Sequence, residues 1–186
     1  APLNAAAAAA ATGAEYEGAE GDYLRSLYGH TAAIVHACFS PDSQLILTVS
    51  RDGNACIWDT EGSVVATLRG HSDRINDGCF SPDGESVLTA SRDHTVRLWT
   101  RRGQLRSVLS GHEHSVLSAR FSPDGMRILS LSVDGTARLW DADGRDLATL
   151  RGHHKAIQSG LFSRDGKYIL TASWDGTVRM WPGEGS

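Results

Sequence analysis

The sequence has 186 residues, 40% of them hydrophobic and 22% charged, which is the composition of a globular protein long enough to bury a core. Of its 22 acidic residues, four precede the first basic residue, Arg25, and the rest balance the 18 Lys and Arg, so the body of the chain lacks the excess of cations that a broad nucleic-acid interface requires. It also lacks an apolar run of the roughly 18 residues that a membrane-spanning helix needs.

Residues 1–20 are a low-complexity segment of Ala, Gly and Glu without a strand pattern, and they predict a flexible tail or linker. Ala5–Ala11 has the length of a signal-peptide core, but no cationic segment precedes it and alanine is only weakly hydrophobic, so we do not expect a secretion signal. Because the sequence starts with Ala1 and not with Met, we expect a processed chain or a piece of a longer one.

A repeat of 41 residues organises the chain from residue 21 to residue 182, and residues 183–186 form a short C-terminal tail. Gly-His pairs begin at positions 29, 70, 111 and 152, and a Trp and an Asp recur at the same spacing without insertion or deletion. Self-similarity at such a period is the mark of a repeat architecture. We therefore expect four copies of one structural unit.

Each copy consists of short apolar runs separated by turn residues, a pattern typical of hairpin strands and not of helices. In the second copy we predict strands at Val64–Leu68, Ile75–Phe80, Ser86–Ala90 and Thr95–Trp99. Asp-Gly follows the third of these runs in the other copies and suits a turn with positive φ, whereas the second copy has His94 in place of Gly. A small strain is expected in that turn.

The ordered recurrence of Gly-His, a Ser-Pro-Asp-Gly-like hairpin, the turn Asp and the closing Trp resembles the WD40 (Trp-Asp) repeat family. The Trp-Asp pair itself is kept at Trp58-Asp59 and Trp140-Asp141, and it is replaced by Trp99-Thr100 and Trp181-Pro182. The resemblance implies an all-β fold, a WD40-type β-propeller with four blades of four antiparallel strands.

The resemblance also implies a hydrogen-bonded tetrad of His, Ser or Thr, Asp and Trp in each copy. The implied tetrads are His30, Thr48, Asp52 and Trp58; His71, Thr89, Asp93 and Trp99; His112, Ser130, Asp134 and Trp140; and His153, Thr171, Asp175 and Trp181. Their donors and acceptors are compatible. A hydrolase triad is the competing interpretation, but an active site is normally built once, so the fourfold recurrence favours a structural role and no catalytic residue is predicted.

Propellers of this family commonly bind proteins where the loop after Gly-His and the turn before the third strand converge. The candidate partner-binding residues at these positions are Arg51, Arg74, Asn76, Arg92, Leu117, Gln158 and Trp174. They vary between copies, as expected of blade-specific contacts or of unconstrained surface. Arg and Trp are favoured at binding hot spots, so the set predicts a protein or peptide partner that carries acidic groups and an apolar anchor.

No cofactor and no metal are expected, because His112 and His153 belong to tetrads, which leaves His114 and His154 as surface residues. Three cysteines, Cys38, Cys56 and Cys79, show no CxxC spacing. They predict neither a disulfide framework nor a zinc site, and they indicate a reducing, cytoplasmic location. The excess of Arg over Lys suggests a bacterial origin.

The leading functional hypothesis is a non-enzymatic scaffold for protein or peptide interactions that serves as the sensing or docking part of a larger signalling protein. The alternatives are a self-assembly module without a dedicated ligand and, last, a propeller enzyme. Tyr23–Tyr28 stands before the first Gly-His as Val64–Leu68 stands before the second, and it predicts an outer strand. Propellers in general have about 4–8 blades, but the WD40 family usually closes with about seven, so four are few. We therefore expect either a homodimer that closes an eight-bladed ring, in which each N-terminal strand completes the other chain's last blade, or a piece of a longer propeller.

Overall fold

A computed structural model describes residues 24–184, and this part of the chain contains fifteen β-strands. None of its segments is a helix of the length and hydropathy needed to cross a membrane. The strands form four antiparallel sheets, each built of strands that are consecutive in sequence. The first sheet has β1 (Ile34–Phe39), β2 (Leu45–Ser50), β3 (Ala55–Asp59) and β4 (Val64–Leu68); the second has β5 (Ile75–Phe80), β6 (Ser86–Ser91), β7 (Thr95–Thr100) and β8 (Leu105–Ser110); the third has β9 (Val116–Phe121), β10 (Arg127–Ser132), β11 (Ala137–Asp141) and β12 (Asp146–Leu150); and the fourth has β13 (Ile157–Phe162), β14 (Tyr168–Ser173) and β15 (Val178–Pro182).

The hairpin between the first two strands of a sheet is fixed by local hydrogen bonds. In the second sheet the N–H of Gly84 donates to the carbonyl of Ser81 over 2.9 Å, and the Ser81 hydroxyl donates to the Asp83 carboxylate over 2.5 Å. Gly84 has a φ of 74°, a conformation that glycine adopts without steric cost. The matching residue of the first sheet is Ser43, with a φ of 58°.

The hydrophobic core lies between successive sheets. Alternate residues of a strand point to opposite faces of its sheet, and the second and third strands present Leu, Ile, Val and Ala to the next sheet. Three clusters result, one at each junction. At the middle junction the second sheet contributes Leu88, Ala90, Val96, Leu98 and Leu109, and the third sheet contributes Val116, Ala119, Ile128 and Trp140.

The first strands β1, β5, β9 and β13 lie next to one another in order along the inner side of the stack. Each pairs with the second strand of its sheet through a shifted register, for example between Ile75 and Asp77 in β5. This shift is a β-bulge, which adds a residue to one strand and turns its side chain out of the regular alternation. Val35, Asn76, Leu117 and Gln158 are the four residues at the bulges.

Among residues 24–184 the fourth sheet has three strands and not the four of a complete blade, so this part of the chain ends on a third strand without an outer neighbour, as the repeat frame predicts. Leu24–Tyr28, the described part of the predicted outer strand Tyr23–Tyr28, is not a strand. Its counterpart Val64–Leu68 is β4, which pairs with β3 of the sheet before it. No sheet precedes Leu24 within residues 24–184, so the segment has no ladder to join. The predicted tail at 1–20 lies outside the described residues.

The outer faces of the first and fourth sheets are exposed, although the equivalent faces elsewhere are buried. In the fourth sheet Val178 and Met180 are 66% and 67% exposed, whereas Val96 and Leu98 at the same positions of the second sheet are fully buried. In the first sheet Phe39 is 62% exposed, but Phe80 is 9% exposed. We call these two exposed outer faces the end faces.

Candidate functional site

Each repeat brings its predicted tetrad together in one chain of hydrogen bonds. In the first repeat the indole N–H of Trp58 donates to the Thr48 hydroxyl over 2.8 Å, and this hydroxyl lies 2.8 Å from His30 Nε2. His30 Nδ1 lies 3.0 Å from a carboxylate oxygen of Asp52. Because a carboxylate only accepts, the proton is on Nδ1, and the hydroxyl donates to Nε2. The same contacts, 2.7–2.9 Å long, recur at His71, Thr89, Asp93 and Trp99, at His112, Ser130, Asp134 and Trp140, and at His153, Thr171, Asp175 and Trp181.

The Asp of each tetrad also holds the backbone around it. Oδ2 of Asp52 accepts from the N–H of Thr31 over 2.9 Å, and Oδ1 accepts from the N–H of Asn54 over 2.9 Å. Burial opposes ionisation of Asp52, but these two N–H groups and the His30 imidazole together hold its pKa below the ordinary value. Desolvation also opposes ionisation of Asp134, whose pKa is lowered by His112 and Thr136. The carboxylates therefore stay ionised and fix the loop after Gly-His.

The tetrad hydroxyls are poorly suited to nucleophilic catalysis. Thr89, Ser130 and Thr171 are fully buried, and each hydroxyl accepts from a Trp while it donates to a His. A nucleophile needs an open approach for the substrate. The geometry of the tetrads therefore favours a structural role.

The candidate partner-binding residues lie on one rim of the stack, where the loop after Gly-His meets the turn before the third strand. In every repeat the residue before the tetrad Asp donates its N–H to the third residue after the tetrad His over 3.0 Å, from Arg51 to Ala33, Arg92 to Arg74, Val133 to Ser115 and Trp174 to Ala156. The two predicted positions are thus adjacent in each sheet. We call this edge the rim.

Three arginines gather at the rim of the first and second sheets. Arg51 and Arg74 line an open cleft of about 260 Å³ together with Asp73. Arg92 reaches Asp73 at 3.8 Å between exposed side chains, a pair of little energetic weight. Within residues 24–184 neither Arg51 nor Arg74 has a carboxylate within 4.0 Å. The guanidinium groups of Arg51 and Arg74 therefore have no ion-pair partner in the described part of the chain, although Asp52 and Asp73 also line the cleft.

The other candidate rim residues differ in whether their side chains are exposed and have hydrogen-bonding groups available to a partner. The Asn76 amide donates to the Ser115 hydroxyl over 3.0 Å and to the Val116 carbonyl over 2.8 Å. It ties the second sheet to the third and has no free donor for a partner. Leu117 is half-buried, whereas Gln158 is exposed. Trp174 is 65% exposed, but it belongs to the fourth sheet, so one chain does not place it beside the arginines.

An unrepeated ion pair between the second and third sheets escaped the sequence reasoning. Asp77 is buried, and its carboxylate accepts from the Arg120 guanidinium and, over 2.6 Å, from the Ser118 hydroxyl. Desolvation acts against the charge of Arg120, yet Asp77 raises the pKa of its guanidinium. The available signal was a departure from the repeat: Asp77 aligns with His36, Ser118 and Ser159 in the other copies.

The cysteines and the remaining histidines show no sign of a reactive or metal site. Desolvation raises the pKa of the partly buried Cys79 thiol to about 12, so it stays protonated and unreactive. The His94 and His114 rings lie 5.9 Å apart at the rim. Within the described range of 24–184, no cluster of three or more His, Cys, Asp or Glu could hold a metal ion.

Comparison with known proteins agrees with this geometry. A family model described as WD domain, G-beta repeat matches residues 21–59, 62–100, 103–141 and 144–182. A Protein LST8 homolog of Drosophila pseudoobscura pseudoobscura is 50% identical over 36 residues, which are 19% of this chain and 11% of that protein. The Protein LST8 homolog of Drosophila melanogaster is 49% identical over 37 residues, 20% of this chain and 12% of the relative. The matches thus span about one ninth of either relative.

Proposed function

Since the chain belongs to the WD40 family of WD domain, G-beta repeats, we propose that it is a non-enzymatic scaffold whose rim binds an acidic protein segment. Proteins of this family are generally scaffolds for protein interactions. The observation that carries the proposal is the arginine cluster, in which Arg51 and Arg74 lack a carboxylate partner among residues 24–184. We further propose that the chain is the sensing or docking part of a larger signalling protein.

The chemistry of the rim specifies the class of partner. A guanidinium binds a carboxylate through parallel N–H donors, and such charge-assisted hydrogen bonds are stronger than neutral ones. Arg51 is exposed and can reach a partner without breaking a contact of its own, whereas Arg92 first has to leave Asp73. The segment is therefore expected to carry at least two carboxylates, with an apolar side chain for Trp174. Free thiols at Cys38, Cys56 and Cys79 are compatible with the cytoplasmic location that we propose.

The binding test uses a fluorescein-labelled peptide, Glu-Glu-Leu-Glu-Glu, and fluorescence anisotropy. Arg51→Ala is expected to weaken binding by at least about tenfold, because a hydrogen bond to a charged group contributes about 1.5–3 kcal/mol. The matched control is Arg164→Ala, which removes the same charge from the β13–β14 hairpin. Equal affinities of all three proteins, or an equal loss in both variants, would contradict binding at the rim.

A second proposal concerns self-assembly, and the two end faces favour it. Within the chain, the face of the second sheet that carries Val96 and Leu98 packs against the face of the third sheet that carries Val116 and Ile128. The end face of the fourth sheet carries Val178 and Met180 at the equivalent positions. An exposed apolar patch of this kind usually marks an interaction site. We propose that it packs against the end face of the first sheet in a second copy.

Two copies joined in this way form a homodimer with two such junctions, an eight-bladed ring. A two-fold arrangement is the commonest closed assembly. Each copy also offers Leu24–Tyr28 as a fourth strand for the open edge of β15 in the other copy. That pairing would remove an unpaired strand edge, which is otherwise a site of aggregation.

Light scattering and sedimentation velocity over a dilution series test the ring. The expected mass is twice the 19.9 kDa of the chain. Val178→Glu is expected to give monomers, because it places a charge within the apolar junction. Met126→Glu is the matched control: Met126 is 64% exposed, and Glu85 occupies the same place in the second sheet. A monomer at every concentration, or open-ended aggregates, would overturn the ring.

A further inference from the structure

The rim contacts between neighbouring sheets follow one rule. A Cβ placed on Gly53, in the turn after Asp52, would lie 3.3 Å from the Asp73 carbonyl oxygen of the next repeat. At Gly135 the corresponding distance to the Lys155 carbonyl oxygen is also 3.3 Å. The turn before the third strand of each of these sheets thus rests against the loop after Gly-His of the following sheet.

The two ends of the stack each keep one half of that contact. Gly176 is the equivalent residue of the fourth sheet, and a Cβ placed on it would meet no atom of the described chain within 4 Å. The loop Thr31–Ala33 of the first sheet is exposed along its length. The turn Trp174–Gly176 therefore has the contact surface of its counterparts but no loop to rest against.

We infer that the rim binding site is shared between two copies of the chain, Trp174 coming from one and Arg51 from the other. In the proposed ring, the turn Trp174–Gly176 of one copy lies on the loop Thr31–Ala33 of the other. Arg51 donates its N–H to the Ala33 carbonyl of that same loop, so the indole and the guanidinium become neighbours. This inference rests on both proposals above, and it names the site that joins them.

The shared site matches the chemistry expected of the partner segment. Trp174 offers an exposed ring for an apolar side chain, and Arg51 offers an unpaired guanidinium for a carboxylate. The carboxylates of Asp52 and Asp175 lie near this site, but they do not compete with the partner for the Arg51 guanidinium. They are already held by His30 and His153 and by backbone N–H groups. Each ring would carry two such sites. Peptide binding and ring closure would then strengthen each other, because the ligand binds the dimer and not the monomer.

Subunit mixing tests whether the site is shared. Trp174→Ala and Arg51→Ala chains are purified separately, and each is expected to lose tight binding of the Glu-Glu-Leu-Glu-Glu peptide. When they are mixed and allowed to exchange, every mixed ring has one junction with both residues intact. About a quarter of the wild-type number of tight sites should then return, as random pairing in a two-fold ring requires. A site within one chain would return none, which would overturn the inference while the scaffold proposal stands.

Chemical cross-linking gives a readout that needs no peptide. Trp174→Cys and Ala32→Cys chains are mixed and treated with a short bismaleimide, and a covalent dimer is expected. Arg51 and Asp73 are the equivalent pair inside the chain, so Arg51→Cys with Asp73→Cys in one chain shows that the linker spans the contact. The parent chain, with Cys38, Cys56 and Cys79, gives the background. A light-scattering dimer without this cross-link would overturn the shared site but not self-assembly.

Discussion

The second and fourth sheets carry nearly the same residues at the same strand positions and yet have opposite environments. Val96 and Leu98 are fully buried, whereas Val178 and Met180 are about two-thirds exposed. The difference arises because the third sheet covers the second, while the described chain has no sheet beyond the fourth. In a repeat protein the face of a sheet is buried only where a neighbouring sheet covers it. The free energy of unfolding is then close to the sum of the contributions of the single repeats and of the junctions between them.

The largest contrast is expected from core truncation at these two places. Leu98→Ala should lower the free energy of unfolding by about 2–5 kcal/mol, because it removes buried methyl groups and leaves a cavity. Met180→Ala, made in a Val178→Glu chain so that no second copy covers it, should change that free energy by no more than about 0.5 kcal/mol. Urea denaturation followed by far-UV circular dichroism measures both. Equal losses would show that the two faces are buried alike.

The tetrads of the second and fourth sheets allow the same comparison, with a smaller expected effect on stability. Thr89→Val keeps the shape but leaves the indole N–H of Trp99 and a ring nitrogen of His71 without a partner, so we expect a loss of about 1–3 kcal/mol for each buried group. Thr171→Val, made in the Val178→Glu chain so that no second copy covers the fourth sheet, should cost less, because Trp181 is half-buried whereas Trp99 is buried. Thermal unfolding of both variants gives the order. A larger loss for Thr171→Val would contradict it.

The pH dependence of unfolding should show the contribution of the tetrad carboxylates to stability. Desolvation opposes ionisation of Asp93, but His71 and Thr95 lower its pKa below the ordinary value. Asp93 in the folded protein thus binds a proton less readily than in the unfolded chain. Its stabilising effect is therefore complete above the unfolded pKa of about 3.9 and is lost as the pH falls below it. The free energy of unfolding should therefore change more between pH 7 and pH 3 in the wild type than in Asp93→Asn. Identical pH profiles would contradict this.

Backbone strain gives the smallest expected effect. His94 has a φ of 73°, where the other sheets have glycine. His94→Gly relieves the strain but adds freedom to the unfolded chain, so a net gain of about 0.5 kcal/mol is expected. A clear loss of stability would instead assign a stabilising role to the contact between the His94 and His114 rings.

The sequence was sufficient for the features that recur. The predicted runs Val64–Leu68 and Ile75–Phe80 coincide with β4 and β5, and those that begin at Ser86 and Thr95 end one residue before β6 and β7 do. The resemblance to the WD40 family is confirmed. Such features are predictable because they depend on residue spacing and turn residues within one repeat. The four copies repeat the same pattern, so each copy supports the prediction made from the others.

Features that occur once could not be obtained in this way. The contacts from Asn76 to Val116 and from Asp77 to Arg120 join residues of different repeats, and no periodicity marks them. These contacts depend on which side chains of two different repeats face each other across a junction, and the spacing of residues within one repeat does not determine that.

We propose that the end faces are two halves of a junction like the three within the chain. Amide hydrogen exchange of the assembled protein tests it most directly, because protection reports the free energy of local opening. We expect β14 and β15 to exchange within about tenfold of β10 and β11, a difference of about 1.4 kcal/mol. Val178→Glu should remove protection from both end sheets, that is from β14 and β15 and from β1 and β2, while β10 and β11 stay protected. Rapid exchange of β14 and β15 in the wild type, with β10 and β11 still protected, would contradict it.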